Sequence, residues 1–468
     1  MRPFGSILRL ALGDVLAKGL NFLAFVYLAR VLDVAGYGIL ELAIAVTMYF
    51  QLLADAGLEV WATRQAAQAA DVRSLAARTL PLRCLLAAVA FGVLLLLLPA
   101  LPDYPALRAV VALLGLTLLP QALSLKWVFL GQEKMGRVAT GLVLPQLVFA
   151  GLALALVRGP AGIVRVPVLK LASELIMSGY FLWRFAAEHG GLHLRVTLRD
   201  ASHLLRAAMP MGLALALGLA SYNFDAVLLG LLAGPAAVGW YTAAYKPITM
   251  ALALPVTYYV GLFPALARAY AESRDAFRRT VVRSLRLTSV FAVPLGIGGT
   301  LLAEPLIAFL FGPPYANAVP PLRLLSWSAV LVILRGTYKH ALNAAGRPGL
   351  DLRCAGAATG LNIALNLLLI PPFGTLGAAV ATLAAELLWL SMAWYYFCRY
   401  VTRASLLPFL LQPVIAAAAM GACLLLTQPL FWAVRAALGV LVYFGSLALL
   451  GEPEVKAWLR RRSDDAAV

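Results

Sequence analysis

Nine charged side chains stand well inside apolar stretches of this 468-residue sequence: Asp14, Lys18, Lys126, Lys170, Glu174, Asp225, Lys246, Lys339 and Glu386. Five of them are lysines. An ammonium held in a partly desolvated, water-lined space is a point charge suited to an anion, phosphate above all. A carboxylate in the same setting can take up H+ or Na+. Lys18, Lys126, Lys170, Lys246 and Lys339 are therefore the candidate anion-binding residues. Asp14, Glu174, Asp225 and Glu386 are the candidates for ion coupling, with Asn21 and Asn223 as polar neighbours. Asp14 with Lys18, and Lys170 with Glu174, are four residues apart and share a helix face, so each pair could also do no more than neutralise itself. Asp225 and Glu386 have no such partner within a turn of their own helix.

Other chemistry finds little support. His189 and His193 in "HGGLH" have a spacing compatible with a metal, but no His-Glu-x-x-His motif or nearby cysteine accompanies them, and a solvated loop is the expectation. There is no phosphate-binding Gly-x-x-x-x-Gly-Lys-Ser/Thr loop and no Asp-x-Asp to hold a metal-bound nucleotide sugar. The chain is thus expected to be no enzyme, to hold no metal and to need no cofactor beyond a coupling H+ or Na+.

Composition sets the elements that must position these residues. Hydrophobic residues make up 62% and charged residues 13% of the chain, with a mean hydropathy of +0.88, where a soluble domain is about one-quarter charged. Runs of about 20 apolar residues, enough to cross a core of roughly 30 Å, predict fourteen membrane helices. They lie near 10–30, 38–60, 80–100, 109–130, 138–157, 164–184, 207–231, 238–262, 287–310, 320–342, 353–372, 376–397, 405–427 and 431–450. The expected fold class is an all-α integral membrane protein. A charge at the bilayer centre costs about 2.5–3.5 kcal/mol, so nine facing lipid would cost on the order of 25 kcal/mol. They must face a wet cavity or one another.

The net charge of +17 follows the positive-inside rule and does not call for nucleic acid. Twenty-eight of the 38 Lys and Arg residues, Arg83 and Arg335 among them, fall to the termini and alternate loops, which places both ends in the cytoplasm. The first helix, with Asp14 and Lys18 and no cleavage motif, reads as a retained helix and not a signal peptide. The basic run "RRTVVRSLR" (278–286) fits an interfacial helix on an anionic membrane surface.

The chain also repeats itself. "LASELIMSGYFLWRF" (171–185) aligns with "LAAELLWLSMAWYYF" (383–397), pairing Glu174 with Glu386. "KWVFLGQEKMG" (126–136) aligns with "KHALNAAGRPG" (339–349), pairing Lys126 with Lys339, and Gly38 pairs with Gly239. Six helices separate the copies, so both have the same orientation in the membrane. The predicted organisation is an N-terminal lobe (1–200, helices 1–6), a C-terminal lobe (201–400, helices 7–12), two further helices (401–450) and a cytoplasmic tail (451–468). A central cavity is expected between helices 1, 2, 7 and 8.

The segments "LARVLDVAGYGILELA" (28–43), "LLADAGLEVWATRQAA" (52–67), "WVFLGQEKM" (127–135), "LFGPPYANAVPPLRLLSW" (310–327), "ALNAAGRPGL" (341–350) and "LNLLLIPPFGTLGAAVAT" (365–382) resemble the polysaccharide-transport, or O-antigen flippase, branch of the multidrug, oligosaccharidyl-lipid and polysaccharide exporter superfamily. The resemblance implies a flippase of the bacterial inner membrane that moves undecaprenyl-diphosphate-linked glycan by alternating access. Partners would be that lipid-linked glycan, the bilayer, and polysaccharide polymerase and chain-length proteins, with no nucleic acid. Two other readings are a cation-coupled multidrug exporter of the same superfamily and, from another class, a membrane polysaccharide polymerase or ligase. The excess of lysine weighs against the first, and the short outward loops near 101–108 and 311–319 against the second.

Overall fold

The computed structural model describes residues 2–69, 71–191 and 198–453, leaving out the side chains of 2–11, 198–199 and 214–223. Among the described residues there is no strand, and each of the fourteen predicted segments is occupied by helix. Eleven helices among the described residues are long and apolar enough to cross a membrane. The chain divides into two compact units, Met1–Thr242 and Ala243–Val468.

The first unit holds α1 (Arg2–Val31), α2 (Asp33–Asp55), α3 (Leu58–Ala66), α4 (Val72–Leu97), α5 (Leu107–Gly115), α6 (Leu118–Leu123), α7 (Lys126–Gly131), α8 (Met135–Leu156), α9 (Arg165–His189), α10 (Leu198–Leu232) and the start of α11 (Pro235–Glu272). The boundary falls inside α11, later than the repeat boundary near residue 200, because α10 packs on α2, α3 and α4. Asp71 begins α4 by accepting from the Arg73 and Ser74 amides at 3.0 and 3.1 Å, satisfying two of the donors that a helix start leaves open. Trp127, Phe129, Phe181 and Phe185 are fully buried together in an aromatic core. Phe181 lies where a methyl on Gly141 would stand, which brings α8 and α9 close.

Two predicted spans of the first unit are broken. The segment 38–60 divides into α2 and α3 at Ala56 and Gly57, both left-handed with φ of 46° and 82°. Gly57 meets that geometry without the Cβ penalty, and α10 approaches so near that a Cβ there would overlap the Gly212 backbone. The segment 109–130 becomes α5, α6 and α7, with Ser124 extended at ψ 121° between the last two.

The second unit holds the rest of α11, then α12 (Arg274–Leu301), α13 (Ala303–Leu310), α14 (Val319–Ala344), α15 (Pro348–Phe373), α16 (Thr375–Tyr400), α17 (Leu411–Leu426) and α18 (Trp432–Leu449). Phe277, Tyr338 and Phe397 anchor its core, and Tyr443 of α18 donates to the Val290 carbonyl of α12 at 2.7 Å. The run 278–286 is no separate interfacial helix: it forms the first turns of α12, capped by Ser273. Its amphipathic pattern holds, with Val281 and Leu285 buried and Arg278, Arg279 and Arg283 exposed. The chain does not bend after Arg286, because nothing there stops the helix.

At the foot of the first unit, Glu188 at the end of α9 joins Lys134 at 2.7 Å and also Arg137, both on the turn into α8. Burial raises its carboxyl, but the hydrogen bonds and charges of these two partners outweigh that and hold it below its ordinary value of 4.5. A lowered carboxyl contributes stability that is present above the ordinary value and lost as pH falls through the lowered one. Protection of the amides of residues 132–137 and 186–189, taken relative to the unstructured exchange rate at the same pH, should therefore fall in acid, and Glu188→Gln should show the same low protection at neutral pH. Equal exchange in both chains at pH 7 would rule the latch out.

Candidate functional site

The two helix breaks of the first unit face one another, and charged residues fill the junction. Arg83 on α4 is only 5% exposed. Its Nη1 donates to the Ser124 carbonyl at 2.9 Å and its Nη2 to the Gln121 carbonyl at 3.5 Å. These acceptors belong to the stretch where α6 ends and α7 has not begun. Non-helical backbone at membrane depth survives only where protein or a wet cavity satisfies it, and the guanidinium fork does so here. The same Nη2 lies 3.6 Å from Asp55 and 3.8 Å from Glu59. Asp55 in turn accepts from the Glu59 amide at 3.1 Å, restarting the helix as α3 beyond the break.

Lys126, the first residue of α7, pairs with Glu59 at 2.7 Å, and Lys170 pairs with Glu174 at 3.2 Å on α9. Asp55, Glu59, Arg83, Lys126 and Glu174 border a cavity of about 330 Å³. Glu174 is 7% exposed, and its Oε2, the Ser124 hydroxyl and the Arg83 Nε, all on residues that line the cavity, are buried with no protein partner. Three carboxylates and three cations thus meet at the breaks, and their charges cancel.

The second unit has a counterpart at the repeat-equivalent positions. Glu386 pairs with Arg335, whose guanidinium stacks 3.8 Å from the Trp389 ring centroid. Lys339, one turn further along α14, holds its ammonium 5.7 Å from the same ring, and the Trp389 indole donates to Asp351 at 3.4 Å. Lys126 with Glu174, and Lys339 with Glu386, therefore come to one cluster in each unit. This accounts for the repeated glutamate: in both copies it holds an opposite charge inside the helix bundle. No break opens at the second cluster, since α14 and α16 run through it as continuous helices.

The other predicted residues stand apart from these clusters. Asp14 and Lys18 form their i,i+4 pair at 2.6 Å with both side chains largely exposed. Asn21, one turn on, is half-buried. Asp225 is 4% exposed and accepts from the Tyr241 hydroxyl at 2.7 Å. Lys246 is half-buried on α11 in the second unit, and the side chain of Asn223 lies outside the described residues. His189 stacks on Phe185 and lies 3.0 Å from the Gln132 amide, whereas His193 is outside the described residues. No group of potential metal ligands occurs among the described residues.

Arg83 and Arg335 correct the loop assignment made from charge counting. Both are buried or nearly so and both act inside the bundle. One signal could have found them: Arg335 stands four residues before Lys339 and eight before Asn343, a single stripe of polar groups on one helix face. Asp55 and Glu59 share the same four-residue spacing.

A many-helix chain whose ionised groups are tied together at broken, apolar helices has the make-up of a multi-pass membrane transporter. The chain belongs to the polysaccharide biosynthesis protein family, whose model matches residues 5–270. A second family model, described as MatE, matches residues 210–368. A probable flippase, AglR, of Haloferax volcanii is 31% identical over 168 residues, so the chain matches about a third (35%) of that relative's length and 35% of its own. A putative O-antigen transporter of Escherichia coli K12 is 25% identical over 388 residues, covering 79% of this chain and 90% of the relative. Among solved structures, the lipid II flippase MurJ in an inward closed conformation has a TM-score of 0.80 over 94% of this chain and 98% of its own, at 12% identity. That likeness establishes the fold.

Proposed function

We propose that this protein is a flippase that carries undecaprenyl-diphosphate-linked oligosaccharide, an O-antigen or exopolysaccharide repeat unit, across the bacterial inner membrane by alternating access. Both termini lie in the cytoplasm in this reading. The observation that carries it is the match to a putative O-antigen transporter across most of both chains. No covalent step is assigned, so the chain acts as a carrier and not an enzyme. A polysaccharide polymerase with its chain-length protein would consume the product.

Lys18, Lys126 and Lys170 each already face a carboxylate at 2.6, 2.7 and 3.2 Å. The diphosphate contact is therefore assigned first to Lys339, which has no carboxylate within ion-pair reach among the described residues and has Arg335 beside it on the Trp389 face. Coupling to H+ or Na+ is assigned to Asp225, a buried carboxylate held by a tyrosine hydroxyl. Lys339→Ala is expected to slow appearance of glycan-lipid on the outer leaflet about tenfold or more, the loss of one charge-assisted contact of roughly 1.5–3 kcal/mol. Protein level and Tm should stay unchanged, and Lys339→Arg should keep most of the rate. Full transport by Lys339→Ala would remove this assignment.

The MatE match over residues 210–368 favours a second reading, a cation-coupled multidrug exporter. The polysaccharide family model covers more of the chain, which is why the flippase reading is preferred. Reconstituted vesicles decide between them: glycan-lipid should become accessible on the far leaflet, while a cationic dye should not be moved against its gradient. A polymerase or ligase would instead lengthen or transfer the glycan.

A further inference from the structure

The cavity at the two helix breaks has a composition that selects its occupant. Asp55, Glu59 and Glu174 are balanced by Arg83, Lys126 and Lys170. A cation entering this network would leave it with a net positive charge, and a phosphate would leave it negative. Either excess is costly away from bulk water. A neutral ligand incurs neither penalty, yet the site is far too polar for an apolar one.

Three buried groups await partners: Glu174 Oε2 can only accept, Arg83 Nε can only donate, and the Ser124 hydroxyl can do both. Adjacent hydroxyls on a sugar ring offer that mixture, each donating and accepting at once. The Gln51 and Gln121 amides border the same space, and Met48, Leu118 and Met177 supply an apolar wall against which a ring's C–H face can lie. The volume of about 330 Å³ is at the lower end of the roughly 300–1,000 Å³ usual for ligand pockets, which admits one ring and not a chain. Asp55, Glu59 and Lys126 keep 26%, 33% and 27% of their side-chain surface exposed, so the space can be reached.

We infer that this cavity in the first unit is a seat for a single neutral sugar ring of the cargo glycan, recognised by Glu174, Arg83, Ser124 and the Gln51 and Gln121 amides. The inference rests on the flippase reading and adds to it a glycan-recognition site distinct from the diphosphate contact at Lys339.

The test is saturation-transfer NMR on the purified full chain with free N-acetylglucosamine, glucose and rhamnose as probes. At least one sugar should receive saturation, and Gln121→Ala and Glu174→Gln should each weaken its binding about fivefold or more, the loss of one hydrogen bond. Gln121→Ala removes no charge, so it decides the matter should Glu174→Gln lower the Tm. Absence of transfer to all three sugars overturns the seat. So does a Tm that sodium chloride, but not choline chloride, raises in the native chain and not in Glu174→Gln, because that result makes the cavity a cation site. Glycan-lipid flipping by the native chain is measured separately. Normal flipping without sugar binding removes only the seat, and sugar binding by a chain that flips nothing removes only the flippase reading.

Discussion

Arg83→Ala is expected to lower unfolding stability by about 3 kcal/mol and to abolish transport. Truncation strands Asp55 and the Ser124 carbonyl, and it leaves Glu59 to Lys126 and the Gln121 carbonyl to the Ser124 amide alone. Removing one partner of a buried ion pair costs roughly 3–5 kcal/mol. The lower figure applies because Asp55 and Glu59 keep 26% and 33% of their side-chain surface exposed, and water can replace part of what is lost. Arg83→Lys should recover less than half of the loss. It restores the charge but cannot aim two donors at two carbonyls in one plane. Adding Asp55→Asn to Arg83→Ala should recover more, by removing one stranded charge. Thermal unfolding in detergent checks each step. An Arg83→Ala chain with the native Tm would show that the helix breaks stand without the guanidinium.

The sequence carries the helices and the cost of their charges plainly, and it carries the junctions between them poorly. Fourteen apolar runs become helix because each is long enough to cross a bilayer, and the glutamates that the repeat alignment pairs, Glu174 and Glu386, each stand in a cluster with one of the two aligned lysines, Lys126 and Lys339. The breaks escaped because hydropathy is blind to φ. "ADAGLE" continues an apolar run while Ala56 and Gly57 turn left-handed within it. Ser124 is likewise a small residue in an otherwise greasy stretch, with nothing to mark its extended backbone. Arg83 and Arg335 escaped for a different reason. Counting basic residues by loop credits any arginine near a helix end to the cytoplasm, although an arginine can reach inward to a carboxylate as readily as outward to water. The balance of the first cluster followed from that omission: with Asp55, Glu59 and Arg83 left out, the interior read as basic, and with them included the charges of the first cluster cancel.

Gly38→Val is expected to be the most damaging substitution of a single small residue in the first unit. Gly38 lies near the start of the buried stretch of α2, after Tyr37, and Gly239 lies in the first turns of α11. The alignment pairs them as copies of one position, and the structure puts them in contact. A Cβ built on Gly38 would overlap the Pro235 carbonyl and the Gly239 amide, and one on Gly239 would overlap the Val34 carbonyl. Every obstacle to a Cβ on Gly38 is backbone, so no side chain can rotate aside and the helices must part. Overpacking of this kind costs about 1–3 kcal/mol for a modest insertion. Gly38→Ala should fall in that range and Gly38→Val beyond it, since close backbone approach at small residues is itself what binds membrane helices together. Gly92 supplies the control: it lies in α4 with nothing within 4 Å of a built Cβ. Gly92→Ala should leave the Tm unchanged or raise it slightly, because alanine is the better helix former by about 1 kcal/mol. If Gly38→Val and Gly92→Ala gave the same Tm, the close crossing of α2 and α11 could not be what holds that end of the unit together.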